Sequence, residues 1–192
     1  MIVPVSAHLG YPALGALILG ESAGLPLPGE TALIVAGGLA ASGQLSLPAV
    51  IAVGALAAIA GDNLGYVVGR RGGRAFLLRD GVGARHRRHA VRRAEAFFAR
   101  FGTAAVFCGR WVAGVRIVTA LVAGAARMPW RRFAWINAAA AIAWAATIAT
   151  LARLVGPTGS LLFAAAALAV AGIAGSVQWA RGARRVTTGA PR

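Results

Sequence analysis

Long apolar stretches restrict the folds open to this chain. Clusters of arginine follow the second, third and fourth of them. The stretches cover residues 9–41, 47–69, 101–126 and 133–179. A helix needs about 20 apolar residues to cross the hydrocarbon core of a bilayer, and most of these stretches are long enough. Only 13% of the residues are charged, where a soluble domain has about a quarter. We therefore predict an all-α integral membrane protein.

The distribution of the arginines indicates an orientation in the membrane. Ten of the twenty basic residues lie between Arg70 and Arg100, and a second cluster occupies residues 181–192. Clusters of this kind mark the cytoplasmic ends of membrane helices. The formal charge of +15 is compatible with nucleic acid, but the basic run has no zinc-ligand spacing and little aromatic interleaving. We predict a multi-pass protein of the bacterial cytoplasmic membrane with no nucleic-acid partner. Residues 1–10 contain no Lys or Arg, which argues against a cleaved signal peptide.

The first half is predicted to contain a broken hairpin and a full span. Pro26, Pro28 and Gly29 interrupt the first apolar stretch, and prolines end helices by sterics and by removing donors. This predicts a re-entrant hairpin over residues 9–42 that enters from outside, although residues 9–25 could instead cross the bilayer. The span 47–69 follows. The basic cytoplasmic segment 70–100 contains helically spaced apolar residues from Val91 to Phe101, which fit an interfacial amphipathic helix or a solvated loop.

The second half is predicted to repeat this plan in the opposite orientation. Residues 101–126 form one apolar stretch with arginines on both sides, interrupted by Arg110, Gly114 and Arg116. The flanking charges predict a hairpin that enters from the cytoplasm and returns there. Transmembrane spans 133–155 and 158–179 and the basic tail 181–192 follow. We predict one domain over residues 1–180, with two hairpins in an inverted repeat as in secondary transporters.

Five charged residues lie inside the first three apolar stretches: Glu21, Glu30, Asp62, Arg110 and Arg116. One charge at a helix centre costs about 2.5–3.5 kcal/mol, so these groups must pair, face water or titrate. Paired arginines in a dry cavity suit a phosphate group, and paired carboxylates can hold a proton or a cation. We predict substrate binding by both arginines and both glutamates, and ion coupling by the three acids. The alternatives are interfacial loop charges and a structural Arg–Glu clamp.

Several sequence patterns match a known family. The first half contains Glu21-x-x-x-x-Pro-Leu-Pro-Gly-Glu30 and Gly61-Asp62-Asn-x-Gly65-Tyr66-x-x-Gly69-Arg70. The second half contains Phe107-x-Gly109-Arg110-x-x-x-Gly114-x-Arg116, and later Gly124, Met128, Phe133, Asn137 and Trp144. Over residues 10–160 the chain resembles the DedA family of bacterial membrane proteins.

The resemblance implies a lipid-transport fold with two facing re-entrant hairpins. Proteins of this family are linked to the translocation of phosphorylated lipid carriers, notably undecaprenyl phosphate, and eukaryotic relatives scramble phospholipids. The important acids of the family match Glu21 and Glu30, and its important arginines match Arg110 and Arg116. We therefore expect a polyprenyl phosphate or related membrane lipid as partner, with a proton or sodium ion. The particular lipid and the oligomeric state stay open.

Other functions compete with transport. A general phospholipid scramblase or an ion-coupled small-solute transporter fits the same charges. An intramembrane enzyme is disfavoured because His8, His86 and His89 lie outside the spans and Cys108 is the single cysteine. Acid catalysis by Glu21 and Glu30 is the enzymatic alternative that stays open, and we expect no catalysis, no metal and no cofactor. A scaffold whose charges only join the hairpins should tolerate the exchange of Arg110→Glu with Glu21→Arg.

Overall fold

The computed structural model describes residues 7–73, 100–111 and 115–187. The described part is helical and contains no strand, which confirms the all-α prediction. In chain order the helices are α1 (Ala7–Ser22), α2 (Gly29–Ala41), α3 (Leu47–Val68), which continues into a π-helical turn at Gly69–Gly73, α4 (residues 100–109), α5 (Val115–Ala125) and α6 (Trp130–Thr187).

The first apolar stretch is divided into two helices, as its prolines predict. Helix α1 ends at Ser22, and the chain turns through Gly24 with φ of 108°. Pro28 immediately precedes α2. Because proline removes a backbone donor and fixes φ, the segment that contains Pro26 and Pro28 cannot continue α1. The break sets the end of α1 beside the start of α2.

Helix α6 bends sharply at Gly156. This residue has φ of 82° and ψ of 175°, a conformation that side chains with a Cβ rarely adopt. The Oγ of Ser160 donates to the carbonyl of Ala152 at 2.8 Å, although eight residues of a straight helix span about 12 Å. The two arms of α6 therefore fold back on each other. The turn predicted at residues 156–159 begins at this glycine.

The helices pack through small residues around a central α3. Helix α3 contacts α1, α5 and α6, and α2 lies against α6. At Gly61 a Cβ would collide with the carbonyl oxygen of Leu19 in α1. Such close backbone approach is typical of helix pairs in membranes, where small residues form the interface. It brings Asp62, the next residue of α3, close to the end of α1.

Much of the described surface is apolar, and several charged groups are buried inside the fold. Leu56, Leu154 and Phe163 are among the large apolar side chains that face outward, whereas Asp62 and Arg110 are buried. Two helical stretches are long and apolar enough to cross a bilayer, Leu47–Gly72 and Trp130–Ala166. This distribution is the reverse of a soluble domain and suits a lipid environment.

Some sequence predictions concern residues that are not described. Most of the basic segment 70–100, with its amphipathic helix, lies outside the described residues, and so does the Gly114 break between the two arginines. The last five residues of the tail do as well. The re-entrant course of the hairpins, their inverted orientation and the bilayer crossing of residues 158–179 stay predictions.

Candidate functional site

Arg116 holds two carboxylates near the start of α5. Its Nη2 lies 2.6 Å from Oε1 of Glu21 and 3.5 Å from Oε2 of Glu30. The first turn of a helix disfavours a cation, because the helix dipole is positive there. The two acids offset this, and they come from the helices on either side of the proline break. Arg116 therefore fastens α5 to both α1 and α2.

The carboxylate of Glu21 also occupies the N-terminus of α2. Its Oε2 accepts a hydrogen bond of 3.0 Å from the backbone N–H of Glu30. The first N–H groups of a helix lack partners within the helix and attract anions. Glu21 thus lies where an external anion would bind, between a helix N-terminus and a guanidinium group.

A second ion pair joins Arg110 to Asp62. Nη1 of Arg110, which follows α4, contacts Oδ2 of Asp62 in α3 and lies 3.4 Å from Oδ1 of Asn137 in α6. The side chains of Arg110 and Asp62 are only 4% and 7% exposed. Removing one partner of such a buried pair leaves an uncompensated charge, which is strongly destabilising.

The indole of Trp144 connects the two ion-paired groups. The Cζ atoms of Arg110 and Arg116 lie 5.1 Å and 4.8 Å from its ring centroid, within the distance of a cation–π interaction. Trp144 is 2% exposed. One buried aromatic side chain therefore positions both arginines.

Three donor atoms at this site have no hydrogen-bond partner among the described residues. They are Nε and Nη2 of Arg110 and Nδ2 of Asn137. Both residues line a small cavity of about 10 Å³, together with Asp62 and Arg116. This volume is close to that needed for one water molecule. Unpaired donors favour an oxygen acceptor, such as water or an anion oxygen.

A hydrogen-bonded cluster fixes α3 about one helical turn after Asp62. The hydroxyl of Tyr66 donates to the carbonyl of Met128, and Nη1 of Arg70 donates to the Tyr66 hydroxyl at 2.7 Å. The Tyr66 ring stacks on Phe133 with centroids 4.7 Å apart. These contacts tie α3 to the start of α6, the helix that carries Asn137.

The structure brings together all five charged residues that the sequence singled out. It divides them into two groups, Arg110 with Asp62 and Arg116 with both glutamates. The exchange of Arg110 with Glu21 therefore addresses the wrong pair, because the partner of Glu21 is Arg116. The assignment of these residues to substrate binding or ion coupling stays a prediction.

Two further residues of the site were given no role by sequence reasoning. Asn137 and Trp144 appear in the matched patterns but not among the predicted binding residues. An amide and an indole inside the Ala-rich span 133–155 are the signals that could have found them, because polar groups at such depth need partners.

The helical fold, the apolar surface and the internal charges define an integral protein of the cell membrane. The chain belongs to the DedA family, since the family model described as the VTT domain matches residues 27–154.

Similar proteins from several bacteria are also membrane proteins. The chain is 40% identical over 152 residues to an uncharacterized membrane protein of Synechocystis, covering 79% of this chain and 70% of the relative. It is 38% identical over 152 residues to an uncharacterized membrane protein of Mycobacterium tuberculosis, covering 76% and 69%. Undecaprenyl phosphate transporter A of Bacillus subtilis is 30% identical over 118 residues, covering 62% and 60%. No solved structure matches the chain.

Proposed function

We propose that this protein translocates an anionic lipid, undecaprenyl phosphate or a related lipid phosphate, across the cytoplasmic membrane, with proton or sodium coupling. The observation that carries the proposal is the sharing of Arg116 between Glu21 and Glu30 beside the N-terminus of α2. A guanidinium group and helix N–H donors together make an anion site. In the described geometry carboxylates fill that site.

Glu30 is the carboxylate that a phosphate can displace most easily. Its contact with Arg116 is the longer of the two, at 3.5 Å, and its side chain is 41% exposed, against 13% for Glu21. An exposed, loosely held ion pair contributes little free energy. A phosphate oxygen that replaces Glu30 gains a charge-assisted hydrogen bond to Arg116. Arg110, whose Nε and Nη2 have no partner among the described residues, is available to a second oxygen.

The charge balance of the site supports coupling to a cation. Its three carboxylates and two guanidinium groups carry a formal charge of −1 when all five are ionised. Binding a phosphate adds further negative charge in a region of low dielectric, which is unfavourable. A proton or sodium ion on a carboxylate offsets this, so lipid and ion bind together. We assign this role first to Glu30 and Glu21, and then to Asp62.

The arrangement in the bilayer completes the proposal. Two re-entrant hairpins, residues 9–42 and 101–126, enter from opposite sides, so that their charged breaks meet near the midplane. The transporter of Bacillus subtilis, named for undecaprenyl phosphate, supports this substrate class. We propose transport rather than catalysis.

The test is transport of undecaprenyl phosphate by the purified protein in liposomes, with and without a pH or sodium gradient. The wild-type protein should move the lipid faster when a gradient is imposed, and Arg116→Ala should abolish movement. Arg131→Ala is the matched control, because Arg131 is an exposed arginine of α6 outside the ion pairs. Equal transport by the Arg116 variant and the control would refute the proposal.

A further inference from the structure

An apolar groove begins at Glu30 and runs between α2 and the two arms of α6. Its volume is about 350 Å³, within the roughly 300–1,000 Å³ typical of ligand pockets. Apart from Glu30, its walls are almost entirely apolar, and they include Ile34, Leu151, Val155 and Phe163.

The bend at Gly156 creates this groove. It separates the arm that carries Leu151 from the arm that carries Phe163. Gly37 of α2 lies against the first arm and Gly38 against the second. Ser160 also lines the groove, but its hydroxyl donates to the carbonyl of Ala152. This hydroxyl proton is therefore already engaged, and the wall offers little to a polar ligand. A hydrocarbon ligand suits such a surface, because apolar burial requires no hydrogen-bond partner.

The groove is open toward the surface and continuous with the charged site. Leu151, Val155 and Phe163 are 54%, 64% and 64% exposed, on the apolar exterior that faces lipid. At the other end, Glu30 belongs both to the groove and to the ion pair with Arg116. A molecule with a charged head and an apolar chain can thus contact Arg116 and the groove at once.

We propose that this groove binds the hydrocarbon chain of the transported lipid, next to its phosphate, while the phosphate binds Arg116. The inference rests on the proposed function and narrows it, because a soluble anion would use Arg116 and leave the groove empty. The hydrocarbon chain enters sideways from the bilayer between the arms of α6. Contacts with the hydrocarbon chain then add to the affinity for the lipid that the phosphate group supplies.

The first experiment fills the groove with a larger side chain. Leu151→Trp should raise the half-saturating concentration of a long-chain prenyl phosphate by at least about tenfold, because it occupies space that the chain needs. The same change should have little effect on a water-soluble phosphate monoester. Leu154→Trp is the matched control, since Leu154 lies on the same helix, is 78% exposed and does not line the groove. Equal effects of the two substitutions would overturn the inference.

The second experiment needs no transport. A prenyl phosphate with a photoactivatable diazirine close to its phosphate is added to the wild-type protein in liposomes, and the labelled peptides are mapped. Labels should concentrate on residues 148–163 and on α2. Excess unlabelled prenyl phosphate should remove them, whereas the prenol without phosphate should not. Labels spread evenly over the apolar surface would overturn the inference.

The two experiments separate the inference from the function on which it rests. Specific labelling of the groove without any lipid movement would support the binding site for the hydrocarbon chain and refute the transport proposal. Lipid movement that depends on Arg116 but not on Leu151, together with scattered labels, would support the transport proposal and refute the binding site for the hydrocarbon chain.

Discussion

The carboxylate of Glu21, at the end of α1, lies 2.6 Å from Nη2 of Arg116 in α5. The two residues are 95 positions apart in the chain, and each belongs to one of the interrupted apolar stretches. Their pairing joins the two halves of the protein at the charged break of each. Substitutions at this junction should show whether it only holds the fold together or also binds a ligand.

The two acids that share Arg116 should differ in their effect on stability. Glu21→Ala should lower the free energy of unfolding by about 3–5 kcal/mol, because it leaves Arg116 buried with one distant partner. Glu30→Ala should lower it by less than about 1 kcal/mol, since Glu30 is partly exposed and more loosely held. Reversible unfolding of both variants in detergent provides the measurement. Equal losses would show that the two carboxylates contribute alike.

The ion pair of Asp62 with Arg110 should show strong coupling in a double-mutant cycle. Asp62→Asn alone should destabilise the protein by about 3–5 kcal/mol, because it leaves a buried guanidinium without its counter-charge. Adding Arg110→Met should recover part of that loss, so that the two effects are not additive. The free energies of unfolding of the single and double variants test this. Strict additivity would mean that the pair contributes nothing as a pair.

The identity of Arg116 should matter beyond its charge. Arg116→Lys keeps the positive charge but loses the planar group that lies over Trp144 and contacts two carboxylates. Lipid transport should fall by at least about tenfold, equivalent to ~1.4 kcal/mol. Arg131→Lys, the same change at an exposed position, should leave transport unchanged. The measurement is initial transport rate in liposomes at matched protein content, and equal rates for the two variants would contradict the expectation.

The aromatic face of Trp144 should be the property that positions the arginines. Trp144→Phe and Trp144→Leu both shrink the buried side chain, so both should lose stability. Phenylalanine retains a π face, and a cation–π contact contributes about 0.5–2 kcal/mol. Transport by the Phe variant should therefore exceed transport by the Leu variant. Trp135→Leu is the control, because Trp135 is 80% exposed. Identical transport by the Phe and Leu variants would rule out a role for the ring.

Exchanging the two members of an observed ion pair should distinguish a structural clamp from a transport site. Arg116→Glu combined with Glu21→Arg preserves an ion pair between α1 and α5. We expect it to recover stability relative to either single variant but not transport, because the arginine then leaves Trp144 and the groove that begins at Glu30. Full transport by the exchanged protein would favour a purely structural clamp.

The class of the protein and the five internal charges of the site could be predicted from the sequence. The apolar stretches, the arginine clusters and the rarity of charges follow directly from composition and order, and they require helices in a membrane. The break at Pro26–Pro28 and the bend at Gly156 were also predictable, because proline and glycine constrain the backbone locally. The five internal charges were recognisable because each is costly where it lies.

Which of these charges meet depends on the packing of the helices. Asp62 and Arg110 are 48 positions apart, and their contact depends on how far each helix is rotated and how closely α3 approaches its neighbours. No local pattern fixes such rotations, because they result from packing over whole helix faces. For the same reason, neither the position of Trp144 beside both arginines nor the apolar groove beyond Glu30 could be predicted from the sequence. The sequence contains the charges, and the packing of the helices determines that Arg116 pairs with Glu21 and Glu30 while Arg110 pairs with Asp62.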